Sequence, residues 1–378
     1  MKKIAILDHY IDELMATSTP EKPLWNIEKV LAGAKGSWNY IDGCMLKGLL
    51  DLWEITQDQK YFDFVKSFLD YYVQPNGTIH TYDPLKFNLD SINEGKALFT
   101  VYNETKQDNY QIALAELRRQ LEFQPRTKQG SFWHMLKFPY QVWLDGLYMA
   151  QPYYLEWELT FNNGKQISDI MNQFRNVVKT NRDEKTGLYY HGYDETHWMF
   201  WSDNETGKSS EFWLRALGWF LMSLVDCCEL FGEAYPEERT ELQQILVSLV
   251  DALVCYQDHD TGMWYQIIDK PNQKTNYLET SGSAIIAYGI MKAVRLGLLA
   301  NDYRKYGERA FYGICELYLT ESDGKLVLGG ICVMAGLGET PEQNGRFDYY
   351  MSEAIVENEA KGVAPLLMAY GEILRLGE

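Results

Sequence analysis

The sequence predicts an all-α protein built as a double ring of twelve helices, the (α/α)6 barrel, and three observations carry that expectation. Six apolar segments with small residues in their first turn recur along the chain, amphipathic segments alternate with them, and a turn glycine followed by aromatic residues precedes most of the apolar ones.

Taken in order, IAILDHYIDELM near the amino terminus reads as the first outer helix. IDGCMLKGLLDLWEIT from Ile41 is the first inner helix, and QKYFDFVKSFLDYYV from Gln59 returns on the outside. INEGKALFTVYNET from Ile92, LDGLYMAQPYYLEW from Leu144, LRALGWFLMSLVDCCEL from Leu214, SGSAIIAYGIMKAV from Ser281 and AKGVAPLLMAYGEIL from Ala360 complete the inner set. They are apolar nearly all round, as helices buried on most faces must be. NYQIALAELRRQLEF from Asn109 and YRKYGERAFYGICELYL from Tyr303 carry one apolar stripe and belong outside. Gly43, Gly95, Gly146, Gly218, Gly282 and Gly362 mark the repeat at intervals of 51 to 80 residues. No Pro-rich, Ser-rich or low-complexity linker interrupts the series, so residues 1–378 are expected to form one domain.

The second repeat is a set of short hairpins on one rim. NGTIH ends at His80, QGSFWH at His134, TGLYYH at His191 and TGMWYQ at Gln266, with a divergent DGKLVL from Asp323. His134, His191 and Gln266 each follow their glycine by four residues, so equivalent loops present polar heads at one offset and wall a pocket.

Composition narrows the partners. The 378 residues are 46% hydrophobic and 14% aromatic, and they carry a net charge of −18. Such a surface repels phosphate backbones and anionic lipid, so neither nucleic acid nor membrane is expected as a partner. Two lysines precede only four apolar residues before Asp8, too few for a signal peptide, and no stretch is long enough to span a membrane. The six scattered cysteines read as reduced, mostly buried thiols, and together these features point to the cytoplasm. There is no P-loop, dinucleotide fingerprint or GxSxG elbow.

Candidate chemistry lies at the inner-helix starts. Asp42, Asp90 and Asp145 open three of them, and each has an ordinary structural explanation as an N-cap. Asp42 is expected to be no more than a cap or a modest pocket wall. Asp90 and Asp145 converge on the rim of aromatic loops, and two carboxylates on one pocket are the minimum for acid and base work on a sugar. For Asp145 the helix dipole lowers the pKa while burial against Trp143 and Tyr148 raises it. His80, His134 and His191 lack the HxH or HExxH spacing of a metal site, so orienting hydrogen bonds are the better reading. Arg215 precedes Trp219 by four residues, which would place cation and indole on one helix face around a carboxylate-bearing ring.

With WLDGLYM preceded by FWH and PYQ and followed by TGLYYHGYDE and EFWLRALGW, the sequence resembles glycoside hydrolase family 105, the unsaturated rhamnogalacturonyl hydrolases. The unsaturated glucuronyl hydrolases of family 88 are the second resemblance. The match runs in order over essentially the whole chain, from WNYIDG through LDSINEG to DYYMSEAIVENEAKGVAPLLMA. It implies an (α/α)6 barrel, no metal or organic cofactor, and as substrate a small oligosaccharide ending in a 4,5-unsaturated uronic acid. It further implies Asp145 as general acid/base, Asp90 as the second carboxylate and His191 as the group orienting water or substrate. Arg215 and Trp219 would then hold the uronate, with Tyr40, His134 and Trp143 completing the wall. The implied reaction is hydration of the enol ether, a proton going to C4 and water to C5, after which the hemiketal opens and releases the neighbouring sugar. Met135 stands where the family often has lysine, and GGICVMAGLGETPEQNGRFDYYM from Gly329 is long and glycine-rich; both bear on which sugar leaves. Glucuronate-containing oligosaccharides, a sugar epimerase using two histidines, and a non-catalytic sugar-binding protein are the competing functions.

Overall fold

The computed structural model describes residues 4–375. Fifteen α-helices occur among them: α1 (Ile4–Thr17), α2 (Ile27–Leu31), α3 (Tyr40–Thr56), α4 (Gln59–Tyr72), α5 (Asp90–Asn93), α6 (Lys96–Thr105), α7 (Asp108–Phe123), α8 (Leu144–Phe161), α9 (Ile167–Asn181), α10 (Leu214–Phe231), α11 (Pro236–Val254), α12 (Thr280–Arg295), α13 (Arg304–Leu317), α14 (Phe347–Ser352) and α15 (Ala360–Leu374). The inner ring runs α3, α5 with α6, α8, α10, α12, α15, each packed on the next, and α15 closes back on α3. Helices α1, α4, α7, α9, α11 and α13 lie outside, so the expected alternation of six inner and six outer helices is what forms.

Burial follows the apolar pattern. Every residue of α10 from Leu214 to Cys228 is buried, whereas α9 buries a stripe through Ile170, Phe174 and Val177. The small residues at inner-helix starts permit close approach: a Cβ on Gly282 would sit 2.5 Å from Leu214 Cγ, and one on Gly43 would sit 2.5 Å from Glu94 Cα. The segment from Asp90 is not one regular helix. Gly95, Ala97 and Leu98 donate to carbonyls three residues back, which tightens the backbone between α5 and α6 while the chain keeps helical angles. Pro152, inside α8, has no N–H for the Tyr148 carbonyl four residues earlier, and Lys96 Nζ donates to that carbonyl at 3.3 Å. At the opposite end of the ring, Lys292 pairs with Asp226 and Glu229 and Arg295 with Glu372, tying the last turns of three inner helices together.

Among the described residues the strands form three antiparallel pairs. β1 (Gln141–Trp143) pairs with β2 (Gly192–Asp194), β3 (Leu319–Ser322) with β4 (Lys325–Leu328), and β5 (Ile331–Cys332) with β6 (Ile355–Val356). The anticipated hairpins are present. Gly77, Gly130, Gly187, Gly262 and Gly324 all adopt positive φ, the left-handed turn conformation glycine accepts without strain. Cys44, Cys227, Cys228 and Cys332 are buried free thiols, Cys315 is buried, and Cys255 is exposed. No described helix is long and apolar enough to cross a membrane.

Candidate active site

The two sequence repeats meet through one recurring hydrogen bond. The N–H at the head of an inner helix donates to the carbonyl of the residue ending the next hairpin: Leu89 to His134, Leu144 to His191 and Leu214 to Gln266, each at 3.0 Å. The residue after each donor is Asp90, Asp145 or Arg215, so these three occupy equivalent places around the ring. Ser281 and Lys361 follow the corresponding donors Thr280 and Ala360. This register aligns Ser91 and Ala216 with Gly146, so Gly95 lies about one turn, and Gly218 about half a turn, deeper than the sequence repeat suggested.

Each hairpin histidine faces the aspartate that its backbone positions. His191 Nε2 lies 3.2 Å from Asp145 Oδ2, and His134 Nε2 lies 3.4 Å from Asp90 Oδ1. Both histidines are buried, while the Asp90 and Asp145 side chains retain 21% and 14% exposure, enough to meet a ligand. Strand β1 delivers Trp143 between the pairs. Its ring stacks on His134 at 4.4 Å and 15° and meets His191 edge-on at 5.6 Å. His191 Nδ1 is 2.8 Å from the Tyr350 hydroxyl. Asp145 Oδ2 and His191 Nε2 are both buried, and neither has a well-aligned hydrogen-bond partner among the described residues.

Electrostatics distinguish the two pairs. Burial alone would raise the Asp145 pKa, but His191, His134 and the residue's own backbone N–H together outweigh it and hold the carboxyl below its ordinary value. Burial alone would depress His134, but Asp90 and then Asp145 outweigh it and hold the imidazole above its ordinary value.

The capping expectation needs correction. Asn39 caps α3, its Oδ1 accepting from the N–H groups of Ile41 and Asp42, while Asp42 is fully buried and accepts from the Trp25 indole at 2.8 Å. Neither Asp90 nor Asp145 caps its helix; the flanking Leu89 and Trp143 occupy the cap positions without a side-chain bond. The Arg215–Trp219 pair does not form either. Trp219 stacks on Tyr148 at 4.9 Å and 8°, beneath the pocket, and is 1% exposed. The Arg215 guanidinium instead lies 4.8 Å from the Trp213 ring, and Nη1 donates to Ser281 Oγ and the Cys332 carbonyl. His80 is exposed on the outside of its hairpin, apart from the other two histidines. Tyr40 is half-buried and lines, with Trp38, Asn88 and Asp90, a cleft of about 200 Å³.

Sequence reasoning passed over Tyr350 and Trp213. Trp213 carries a readable signal, since it immediately precedes an inner helix as Trp143 does; Tyr350 sits in α14, which belongs to neither repeat. The glycine-rich segment after Gly329 turns back onto the site, Leu337 packing with Phe138, Trp143 and Trp201 while Glu339 pairs with Lys137. A groove of about 610 Å³ opens beside it, between Leu85, Lys86, Asn88 and Met135, Leu136, Lys137. A cleft of similar size outside the His191 hairpin, between Tyr190, Trp201 and Arg346, contains none of the acid–base residues.

A helical double ring with paired carboxylates and histidines on one rim is equipped for acid–base chemistry, and comparison with known proteins gives its class. The chain belongs to glycosyl hydrolase family 88, whose model matches residues 11–377. It is therefore a glycoside hydrolase. It is 41% identical to a family 105 glycoside hydrolase from C. acetobutylicum ATCC 824, with a TM-score of 0.86 over 89% of this chain and 93% of that one. It is 28% identical, over 79% of its length and 81% of the other, to the unsaturated rhamnogalacturonyl hydrolase YesR of Bacillus subtilis strain 168. A heparin-specific unsaturated glucuronyl hydrolase shares the fold at a TM-score of 0.71 and 14% identity, covering 100% of this chain and 97% of that one.

Proposed function

We propose that the enzyme removes the 4,5-unsaturated uronic acid from lyase-generated rhamnogalacturonan oligosaccharides by hydrating the enol ether. The observation that carries this is the ring register: Asp90 and Asp145, each with its own histidine, occupy places equivalent to that of Arg215. In this reading the uronate carboxylate points toward Arg215, itself 1% exposed, and the C4=C5 bond toward Asp145. Trp143 and Tyr40 supply the walls.

Tyr350 is buried, which holds its phenol well above the ordinary range and keeps its proton in place to donate to His191 Nδ1. His191 Nε2 then carries the proton that faces Asp145. The arriving uronate excludes water and adds negative charge, which raises the proton affinity of Asp145. Protonated Asp145 delivers its proton to C4, water adds at C5 and returns a proton to Asp145, and Asp90 with His134 buffers that exchange. The resulting hemiketal opens and expels the neighbouring sugar. Every atom of the added water is accounted for, with one hydrogen at C4 and hydroxyl at C5.

Rhamnose is the proposed leaving sugar. The name of the YesR relative and the identity to a family 105 structure support it, and the groove lined by Leu85, Met135 and Leu136 suits the methyl-bearing face of a 6-deoxy sugar. Glucuronate-containing oligosaccharides form the second reading, supported by the shared family 88 model.

The mechanism is tested by running the reaction in heavy water and examining early product by NMR. A single deuterium on one face of C4 is expected. Deuterium scrambled over both faces would place protonation free in solution, after ordinary cleavage at the anomeric carbon, and would refute enzymatic hydration.

A further inference from the structure

Beneath His134 lies a small enclosed cavity of about 10 Å³, room for one water-sized sphere. Its lining is mostly apolar, from Leu89, Phe132, Val142, Trp143 and Leu147, and two polar atoms on it are unusual. His134 Nδ1 and Gln151 Oε1 are both fully buried, and neither has a hydrogen-bond partner among the described residues. Gln151, on α8 and 1% exposed, stands nearly two turns below Asp145 and does not reach the pocket itself. Its neighbour on the cavity wall, Gln173 of α9, is already engaged, accepting from the Phe132 N–H and donating to the Gly130 carbonyl. Gly146 keeps the space open, because a Cβ there would lie 3.3 Å from His134 Nδ1.

Leaving two buried polar atoms unpaired is costly, and one water within reach of both would satisfy them. We propose that Gln151 is a positioning residue for His134: a single water in this cavity accepts a hydrogen bond from His134 Nδ1–H and donates one to Gln151 Oε1. The doubly protonated imidazole has two N–H groups to satisfy. Asp90 faces Nε2, and the Gln151-bound water serves Nδ1. When the ring is neutral the same water turns and donates to Nδ1, so the site accommodates both protonation states without moving a side chain.

The charged groups bearing on the ring are Asp90 from the head of α5, Asp145 from α8 and Lys137 from its own loop, and the two carboxylates favour the imidazolium while Lys137 opposes it. Gln151 adds a neutral acceptor on the side no carboxylate reaches. It rests on the placement of His134 in the site, not on the identity of the substrate.

The test is NMR of protein carrying nitrogen-labelled histidine, which reads the titration of His134 directly and needs no turnover. Gln151→Leu removes the acceptor and is expected to lower the midpoint of His134 titration by about one pH unit, a tenfold change in proton affinity. Gln151→Glu keeps the shape and adds charge, and is expected to raise the midpoint. The Glu variant carries the test alone if the Leu variant does not fold. A midpoint unchanged in either folded variant would overturn the proposal. So would an atomic-resolution crystal structure of the wild-type protein showing no water within hydrogen-bond reach of both atoms.

Discussion

On the proposed mechanism the proton transfer falls to Asp145, and its charge and its shape can be tested separately. Asp145→Asn keeps the shape, caps nothing and removes the exchangeable proton, so turnover is expected to fall by at least about a thousandfold while the melting temperature stays within a few degrees. Steady-state rates and thermal denaturation of the same preparation check both halves. Asp90 acts on its partner. Because burial would depress His134 and Asp90 is the chief group opposing that, Asp90→Asn is expected to lower the NMR titration midpoint of His134. The sign for stability follows. A histidine whose folded pKa is raised contributes stability that is fully present below about pH 6.5 and disappears as the pH rises through the folded value. The stability gap between wild type and Asp90→Asn is therefore expected to be widest in mild acid and to close above neutrality, as measured by urea denaturation across that range.

At the scale of elements, the contact between helix starts is made possible by small residues. Gly43→Ala would drive a Cβ into the backbone of Glu94, which cannot rotate away, and is expected to cost about 1–3 kcal/mol by denaturant titration. Gly130→Ala makes no clash and suffers only from its positive φ, so it should cost less. Helix identity was legible in the sequence because apolar periodicity and small first turns are local properties of the chain. The five turn glycines were legible for the same reason. The exact register was not: Gly95 and Gly218 stood out chemically, but the bonds from Leu89 to His134 and Leu214 to Gln266 set the alignment, and those span separate segments. Trp219 shows the same limit. Its spacing from Arg215 shared a helix face in principle, yet Trp213, held ahead of the helix, lies nearer the guanidinium and Tyr148 of α8 claims the Trp219 ring. His134 and His191 stood out because each follows its turn glycine by four residues, whereas Asp90 and Asp145 stood out only as acids at inner-helix starts, and their shared register came from the folded chain. Tyr350 lies in no repeat and emerged only from the folded chain.

Across the whole molecule, the ring closes through α15 against α3, the last inner helix on the first, and the two aspartate–histidine pairs share the rim with Arg215. On the proposed assignment the net charge of −18 opposes the approach of an anionic sugar, and Arg215 is the local positive charge that would offset it. Moderate salt should consequently raise kcat/KM for the charged substrate by screening the global repulsion while hardly affecting the buried guanidinium; initial rates over a salt series measure this. The most direct test of hydration follows the ultraviolet absorbance of the conjugated uronate as purified enzyme acts on unsaturated rhamnogalacturonan disaccharide. Absorbance is expected to disappear with wild-type enzyme as rhamnose is released, and to persist with folded Asp145→Asn. Persistent absorbance with the wild type, while the disaccharide is demonstrably bound, would contradict the proposed reaction.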